Sequence, residues 1–121
     1  MHEMGVTRDI VDAVLDFAGK AGATEVRSVY LTIGWARDIV ESLLIGAFDY
    51  MAKGTVAEHA DLVITRVPFT VCCKECGLVC PIDVRDETTW PCPACGKRDY
   101  RLNSGMEFSI DKIEIAVPEP A

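Results

Sequence analysis

The hydrophobic and polar positions of this chain follow two helical and three strand-like patterns. Residues 4–20 predict an amphipathic helix that ends at Gly19 and Gly22. A second helix is expected from near Asp38 up to Gly54. Asp38 and Glu41, three residues apart, resemble a capping box at its start. The apolar face of the first helix is predicted to contain Val6, Ile10, Ala13, Val14, Phe17 and Ala18. The apolar face of the second helix is predicted to contain Ile39, Leu43, Leu44, Ala47, Tyr50 and Met51.

Alternating apolar residues predict strands over 28–33, 61–67 and 110–117. Between the last two strands lies a stretch rich in Cys, Pro and Gly without helical periodicity. This order predicts an α+β fold, in which two helices and a small three-stranded sheet carry an inserted zinc-ribbon-like domain. The expected boundaries are residues 1–68 and 108–121 for the α/β part and 69–107 for the insertion.

Composition narrows the function classes. The 121 residues are 50% hydrophobic and carry a formal net charge of -7, which argues against a nucleic-acid or anionic-membrane binder. No apolar run approaches the roughly 20 residues that span a bilayer, and the first residues lack the basic start of a signal peptide. A cytoplasmic location is therefore expected, where thiols stay reduced and cysteines more often bind metals than form disulfides.

All six cysteines lie between Cys72 and Cys95. "CKECG" and "CPACG" form two C-x-x-C-G motifs with the spacing of a zinc ribbon, so Cys73, Cys76, Cys92 and Cys95 are predicted to bind Zn(II). Four thiolates complete a tetrahedral shell, which is typical of a structural site. A redox, iron–sulfur or rubredoxin-like iron site is the alternative. Cys72 and Cys80 are interpreted as free thiols, with a role as alternate ligands left open.

The first residues, Met1-His2-Glu3, can chelate a metal without a folded pocket. The α-amine, the His2 amide nitrogen and the imidazole can surround one ion, and the Glu3 amide or carboxylate can complete a plane. Such nitrogen ligands favour Ni(II) or Cu(II). The other histidine, His59, is expected at the surface. The chain has no Ser/His/Asp set, P-loop or dinucleotide fingerprint, so an enzyme is not expected.

The order of these features resembles the HypA (HybF) family of hydrogenase-maturation nickel chaperones: M-H-E at the start, "ESLLIGAFDYMAKGTVAEHADL", two C-x-x-C pairs and a closing "IDKIEI". The resemblance implies transient Ni(II) binding at Met1, His2 and Glu3, a structural Zn(II) on the four cysteines, and delivery of nickel to [NiFe]-hydrogenase. Some members use an acidic nickel ligand near the second helix. Asp38 and Glu41 do not align cleanly with that ligand, so the group that completes the nickel shell stays open.

The resemblance also implies partners: a HypB-type GTPase, the hydrogenase large-subunit precursor and, in some bacteria, urease accessory proteins. Neither nucleic acid nor a membrane is expected as a partner, and a homodimer is left open. The alternative reading of the sequence is a zinc-ribbon nucleic-acid or transcription accessory module. The acidic charge and the absence of a basic face interleaved with aromatics argue against that alternative. A rubredoxin-like electron carrier is the third reading.

Overall fold

The computed structural model describes residues 2–83 and 85–119, and for His2 the backbone only. The elements are α1 (His2–Ala21), β1 (Glu25–Gly34), a 3-10 helix (Trp35–Arg37), α2 (Glu41–Met51), β2 (Asp61–Val67), β3 (Thr70–Cys73), β4 (Val79–Pro81), a 3-10 helix (Glu87–Thr89), β5 (Tyr100–Ser104) and β6 (Phe108–Ala116). The strands form two sheets of three strands each, in the orders β2-β1-β6 and β4-β3-β5. The α+β fold with an inserted cysteine module is confirmed.

The chain divides into two compact units. Unit 1 consists of Met1–Thr32, Ile39–Thr65 and Ser109–Ala121, and unit 2 of Ile33–Asp38 and Arg66–Phe108. Within the described residues, neither α1 nor α2 carries an apolar stretch long enough to cross a membrane.

Unit 1 is built around a conventional apolar core. Helix α1 packs against α2, and the hydroxyl of the fully buried Thr7 donates to the Glu3 carbonyl one turn earlier. The two helices and β1 bury small and medium aliphatic side chains together with one aromatic ring, as their periodicity predicts. These core residues are Ile10, Val11, Val14, Ala18, Val26, Val29, Leu31, Leu44 and Phe48.

The predicted end of the first helix and the predicted width of both apolar faces are wrong. Helix α1 passes through Gly19 and ends before Gly22, whose φ of 67° permits the left-handed turn. Phe17, Leu43 and Tyr50 lie outside the core, with 45%, 56% and 71% of their surface exposed. The predicted helical faces are therefore broader than the stripe that packing covers.

The predicted capping box of the second helix does not form. Asp38 ends the preceding 3-10 helix in the left-handed conformation, with φ 54° and its N–H bonded to the Trp35 carbonyl. Helix α2 starts at Glu41, and Val40 occupies its N-cap position. The side chain of Val40 makes no capping hydrogen bond. Asp38 cannot cap α2 because it is the C-cap residue of the 3-10 helix. The sequence pattern did not predict that 3-10 helix.

Unit 2 has a much smaller apolar core. Strand β3 pairs antiparallel with both β4 and β5, and the Thr70 and Ser104 hydroxyls hydrogen bond at 2.5 Å. Among its described residues, the buried hydrophobic side chains are Ile33, Val71 and four cysteines: Cys72, Cys73, Cys80 and Cys92. So few aliphatic side chains supply little hydrophobic stabilisation, which makes a metal cross-link the natural substitute.

Candidate metal centre

The two C-x-x-C-G motifs fold into matching turns. In the first turn the Cys73 N–H donates to the Leu78 carbonyl at 2.9 Å, and the Gly77 N–H donates to the Cys73 carbonyl at 2.9 Å. The second turn repeats this pattern: the Cys92 N–H donates to the Lys97 carbonyl at 2.8 Å, and the Gly96 N–H to the Cys92 carbonyl at 2.7 Å.

The glycine that follows each motif is required by the shape of its turn. Gly77 and Gly96 have φ of 77° and 76°, a conformation that residues with a Cβ rarely adopt. The glycine of each C-x-x-C-G sequence therefore permits the local geometry of its turn.

These turns bring four sulfur atoms together. The Sγ atoms of Cys73, Cys76, Cys92 and Cys95 all lie within 4.8 Å of one another. The Cys73–Cys95 and Cys76–Cys92 pairs are 3.6 Å and 3.5 Å apart. A tetrahedral ion with Zn–S bonds of about 2.3 Å requires sulfur atoms about 3.8 Å apart, so the donor set and its spacing fit such an ion.

The cluster has a buried side and an exposed side. Cys73 and Cys92 expose 1% and 2% of their surface, whereas Cys76 and Cys95 are exposed. Each motif thus contributes its first cysteine to the buried side and its second to the exposed side. A bound ion would be anchored in the unit and reachable by solvent along one face only.

Hydrogen bonds change the pKa values of Cys92 and Cys76 in opposite directions. The backbone N–H groups of Cys95 and Ala94 donate to the Cys92 sulfur and lower its pKa to about 7. The Leu78 N–H lowers the pKa of Cys76, but the hydrogen bond shared with Cys92, burial and the other two thiols outweigh it and raise that pKa to about 12. Cys92 therefore loses its proton more readily than Cys76, and a metal ion must displace the thiol protons that remain.

Two ion pairs flank the turns. Lys74 lies 3.6 Å from Asp99, and Lys97 lies 3.8 Å from Glu75. All four side chains are about half exposed or more, so the pairs contribute little to stability. The surface around the cysteines therefore carries both positive and negative charges.

Cys72 and Cys80 are buried but do not join the four-sulfur group. The Cys72 thiol donates to the Gly77 carbonyl at 3.6 Å. In the register, Cys72 pairs with Val79 and Cys80 pairs with Val71, so the two thiols lie on opposite faces of the sheet. Cys80 shares the face of Cys73, which lies two residues after Val71.

The predicted N-terminal metal site lies mostly outside the described residues. This applies to Met1 and to the side chain of His2. Glu3 is half-buried, and its carboxylate accepts a hydrogen bond from the Val40 N–H at 3.2 Å. Glu41 begins α2 directly after Val40. His59 is exposed, as expected, with 86% of its side chain accessible.

Two relationships were not predicted from the sequence. Glu3 and Val40 are 37 residues apart and belong to no shared motif. Tyr100, the residue paired with Cys73 in the β3–β5 register, follows the second motif at a distance that no metal-site pattern specifies. Only the strand register identifies it.

Comparisons with known proteins agree with this architecture. Residues 1–115 match the sequence profile of the family described as "Hydrogenase/urease nickel incorporation, metallochaperone, hypA". The hydrogenase maturation factor HypA of Roseiflexus sp. (strain RS-1) is 32% identical over 94% of this chain and 91% of its own. HypA of Caldanaerobacter subterraneus subsp. tengcongensis is 34% identical over 95% of this chain and 99% of its own.

Solved structures show the same fold. The solution structure of the Ni metallochaperone HypA from Helicobacter pylori covers 98% of this chain and 100% of its own, with a TM-score of 0.64 and 23% identity. A second solution structure of a HypA protein covers 98% of both chains, with a TM-score of 0.69 and 24% identity. The profile match extends over nearly the whole chain, and the four-cysteine cluster lies inside it. The chain belongs to the HypA family of nickel-incorporation metallochaperones for hydrogenase maturation.

Proposed function

We propose that this protein captures Ni(II) at its first three residues and delivers it for the maturation of [NiFe]-hydrogenase, without catalytic chemistry of its own. The observation that carries the proposal is the family match over residues 1–115, which includes Met1-His2-Glu3. The α-amine of Met1, the His2 imidazole and backbone nitrogens are the proposed nickel ligands. They form a site of the kind that Ni(II) prefers.

The contacts of Glu3 favour its amide nitrogen over its carboxylate as the nickel ligand. The carboxylate already accepts the Val40 N–H at 3.2 Å. Glu3 lies in the first turn of α1, and its carboxylate joins the start of α1 to the start of α2.

The distribution of charge supports cation capture by unit 1. Unit 1 contains twelve Asp and Glu against five Lys and Arg, whereas unit 2 contains seven of each. The whole net charge of -7 thus belongs to the unit that carries the proposed nickel ligands. A negative field raises the local concentration of divalent cations and of basic partner surfaces.

We further propose that Cys73, Cys76, Cys92 and Cys95 hold a resident Zn(II). The zinc supplies a permanent cross-link between the two turns, and the four cysteines supply a closed shell. We propose residues 69–107 as the zinc-binding domain and residues 1–68 with 108–121 as the nickel-binding domain. The proposed partners are a HypB-type GTPase and the hydrogenase large-subunit precursor, with urease accessory proteins where urease is present. The proposed compartment is the cytoplasm.

Nickel binding by untagged protein tests this function. Calorimetric titration of the zinc-loaded protein with Ni(II) should give one tight site, which His2→Ala or one extra residue before Met1 abolishes. His59→Ala is the matched control, because it removes the other histidine from an exposed position. Zinc content should stay the same in all variants. Nickel affinity retained in both N-terminal variants would rule out the terminal site.

A further inference from the structure

The hydroxyl of Tyr100 is buried and has no hydrogen-bond partner among the described residues. Such a group is rare in folded proteins, because removing a hydroxyl from water without a replacement partner destabilises the fold. An unsatisfied buried hydroxyl therefore indicates an acceptor that is supplied by something else. The surroundings of Tyr100 identify what that acceptor is.

Strand register places Tyr100 on the metal-binding face of its sheet. Tyr100 is paired with Cys73 across β3 and β5, and side chains directly opposite each other lie on one face. Val71 and its partner Cys80 share this face. The phenol thus extends over the same side of the sheet as the first ligand of the first turn.

The acceptors that the strand register places beside the phenol are sulfur atoms. Cys73 and Cys80 share the face of Tyr100, whereas Cys72 lies on the opposite face. Cys73 and Cys92 form the buried side of the four-sulfur cluster. A phenol has a usual pKa of about 10 and is a hydrogen-bond donor at neutral pH, and one ligand on this buried side, Cys73, is the register partner of Tyr100.

We propose that Tyr100 is a positioning residue of the metal site, whose O–H donates to the sulfur of Cys73 or Cys92 when the ion is bound. This inference rests on the proposed zinc site. Four thiolates around a divalent ion leave a net charge of about -2, and a charged acceptor strengthens the hydrogen bond. Hydrogen bonds of this kind orient the ligands and tune the metal. Cys73 and Cys92 are buried, so bulk solvent competes little with the phenol for their sulfur atoms.

Tyr100→Phe tests the proposal, because it removes one oxygen and keeps the ring. Transfer of zinc to a chromogenic chelator should show an affinity roughly 10-fold or more below wild type. In the cobalt-substituted protein, the sulfur-to-metal charge-transfer band should move to lower energy, because the sulfur loses a donor. A purely structural role of the ring would leave this band in place.

Tyr30→Phe is the matched control. Its hydroxyl is half-buried and bonded to Glu114 at 2.7 Å in unit 1. This variant should leave the cobalt spectrum and zinc transfer unchanged. A Tyr100→Phe protein with the wild-type spectrum and wild-type transfer would overturn the proposal. A Cys80→Ala protein that shows the same loss of zinc affinity and the same shift of the cobalt band would also overturn the proposal. That result would indicate that the phenol donates to the Cys80 thiol and not to a metal ligand.

A measurement on intact Tyr100 covers the case in which Tyr100→Phe does not fold. The chain has three tyrosines, so Tyr30→Phe with Tyr50→Phe leaves Tyr100 alone to report. The intensity ratio of the two bands in its Raman Fermi doublet should change, when zinc binds, to the value typical of a phenol that donates a strong hydrogen bond. An unchanged intensity ratio would overturn the proposal. Wild-type protein that takes up neither zinc nor cobalt would instead refute the proposed zinc site.

Discussion

The carboxylate of Glu3 caps helix α2 from a distance of 37 residues, by accepting the Val40 N–H at 3.2 Å. Val40 is the N-cap residue and has no capping side chain, so a donor at the start of α2 is satisfied by α1. The contact joins the two helices of unit 1 at the end where the proposed nickel ligands begin. The proposed nickel site and the start of α2 thus share Glu3.

Removing this cap should lower the stability of unit 1. Glu3→Ala should reduce the free energy of unfolding by about 1 kcal/mol, the usual cost of a lost N-cap. Glu3→Gln should retain most of it, because the amide oxygen still accepts. Urea denaturation of nickel-free protein measures both. Glu25→Ala, which removes an exposed carboxylate 3.8 Å from Arg27, should change stability by less than about 0.5 kcal/mol; an equal loss in this variant would refute the cap.

The hydrogen bond between Tyr30 and Glu114 predicts a pH dependence. The Tyr30 hydroxyl, and then Lys112, lower the pKa of Glu114. Because the folded-state pKa lies below the unfolded value of about 4.3, the bond stabilises fully above that value. The contribution is lost as pH falls through the folded-state pKa.

Tyr30→Phe should therefore raise the pKa of Glu114 and remove its share of this acid dependence. The measurement is the titration of the Glu114 carboxyl carbon by NMR. Asp111 is the internal control: its pKa is lowered by the Ser109 hydroxyl and then by Thr32, so its titration should not change. An unchanged Glu114 midpoint in Tyr30→Phe would show that Lys112 alone holds the pKa down.

A close backbone approach in unit 2 requires glycine at position 34. A Cβ at Gly34 would lie 1.9 Å from the Gly105 carbonyl oxygen and 2.6 Å from the Met106 nitrogen. Here the Gly34 N–H donates to the Glu107 carbonyl and the Ala36 N–H to the Gly105 carbonyl, at 2.8 and 2.9 Å. Backbone atoms cannot move aside as a flexible side chain can.

Gly34→Ala should therefore cost at least about 2 kcal/mol, in the range of overpacked sites. Gly19→Ala is the contrasting control, because Gly19 is inside α1 and nothing lies within 4 Å of an added Cβ. Alanine there should stabilise by roughly 0.5–1 kcal/mol. Thermal unfolding of both variants measures the difference. A Gly34→Ala protein as stable as wild type would mean that the two segments separate at little cost.

Sequence patterns predicted the features that local chemistry determines. Strand β2 spans Asp61–Val67 as predicted, because alternation and a following proline fix both its period and its end. The two C-x-x-C-G turns form because their spacing and glycines specify them. Neighbouring Cys72 and Cys73 were harder to separate, and the strand register does so by assigning them to opposite faces.

Features that depend on tertiary contact could not be read from the pattern. Asp38 and Glu41 have capping-box spacing, but a 3-10 turn takes Asp38 first. Leu43 and Tyr50 fit a helical apolar face that the fold leaves exposed. Tyr100 lies beside the cysteines only because β5 pairs with β3. The partner of Asp38 is Trp35, three residues earlier, whereas the partner of Tyr100 lies on another strand, 27 residues away.

Metal removal should unfold unit 2 and spare unit 1. The buried core of unit 1 is mainly aliphatic, whereas most buried hydrophobic residues of unit 2, among those described, are cysteines. Cys92→Ser, or prolonged treatment with a strong chelator, should expose Arg66–Phe108 to protease while the amides of α1 and α2 stay protected from hydrogen exchange.

Cys72→Ser is the control, because its thiol donates to the Gly77 carbonyl and a hydroxyl can do the same. It should keep one zinc per chain and resist cleavage. A Cys72→Ser protein that loses zinc, beside a Cys73→Ser protein that keeps it, would reverse the assignment of the first ligand.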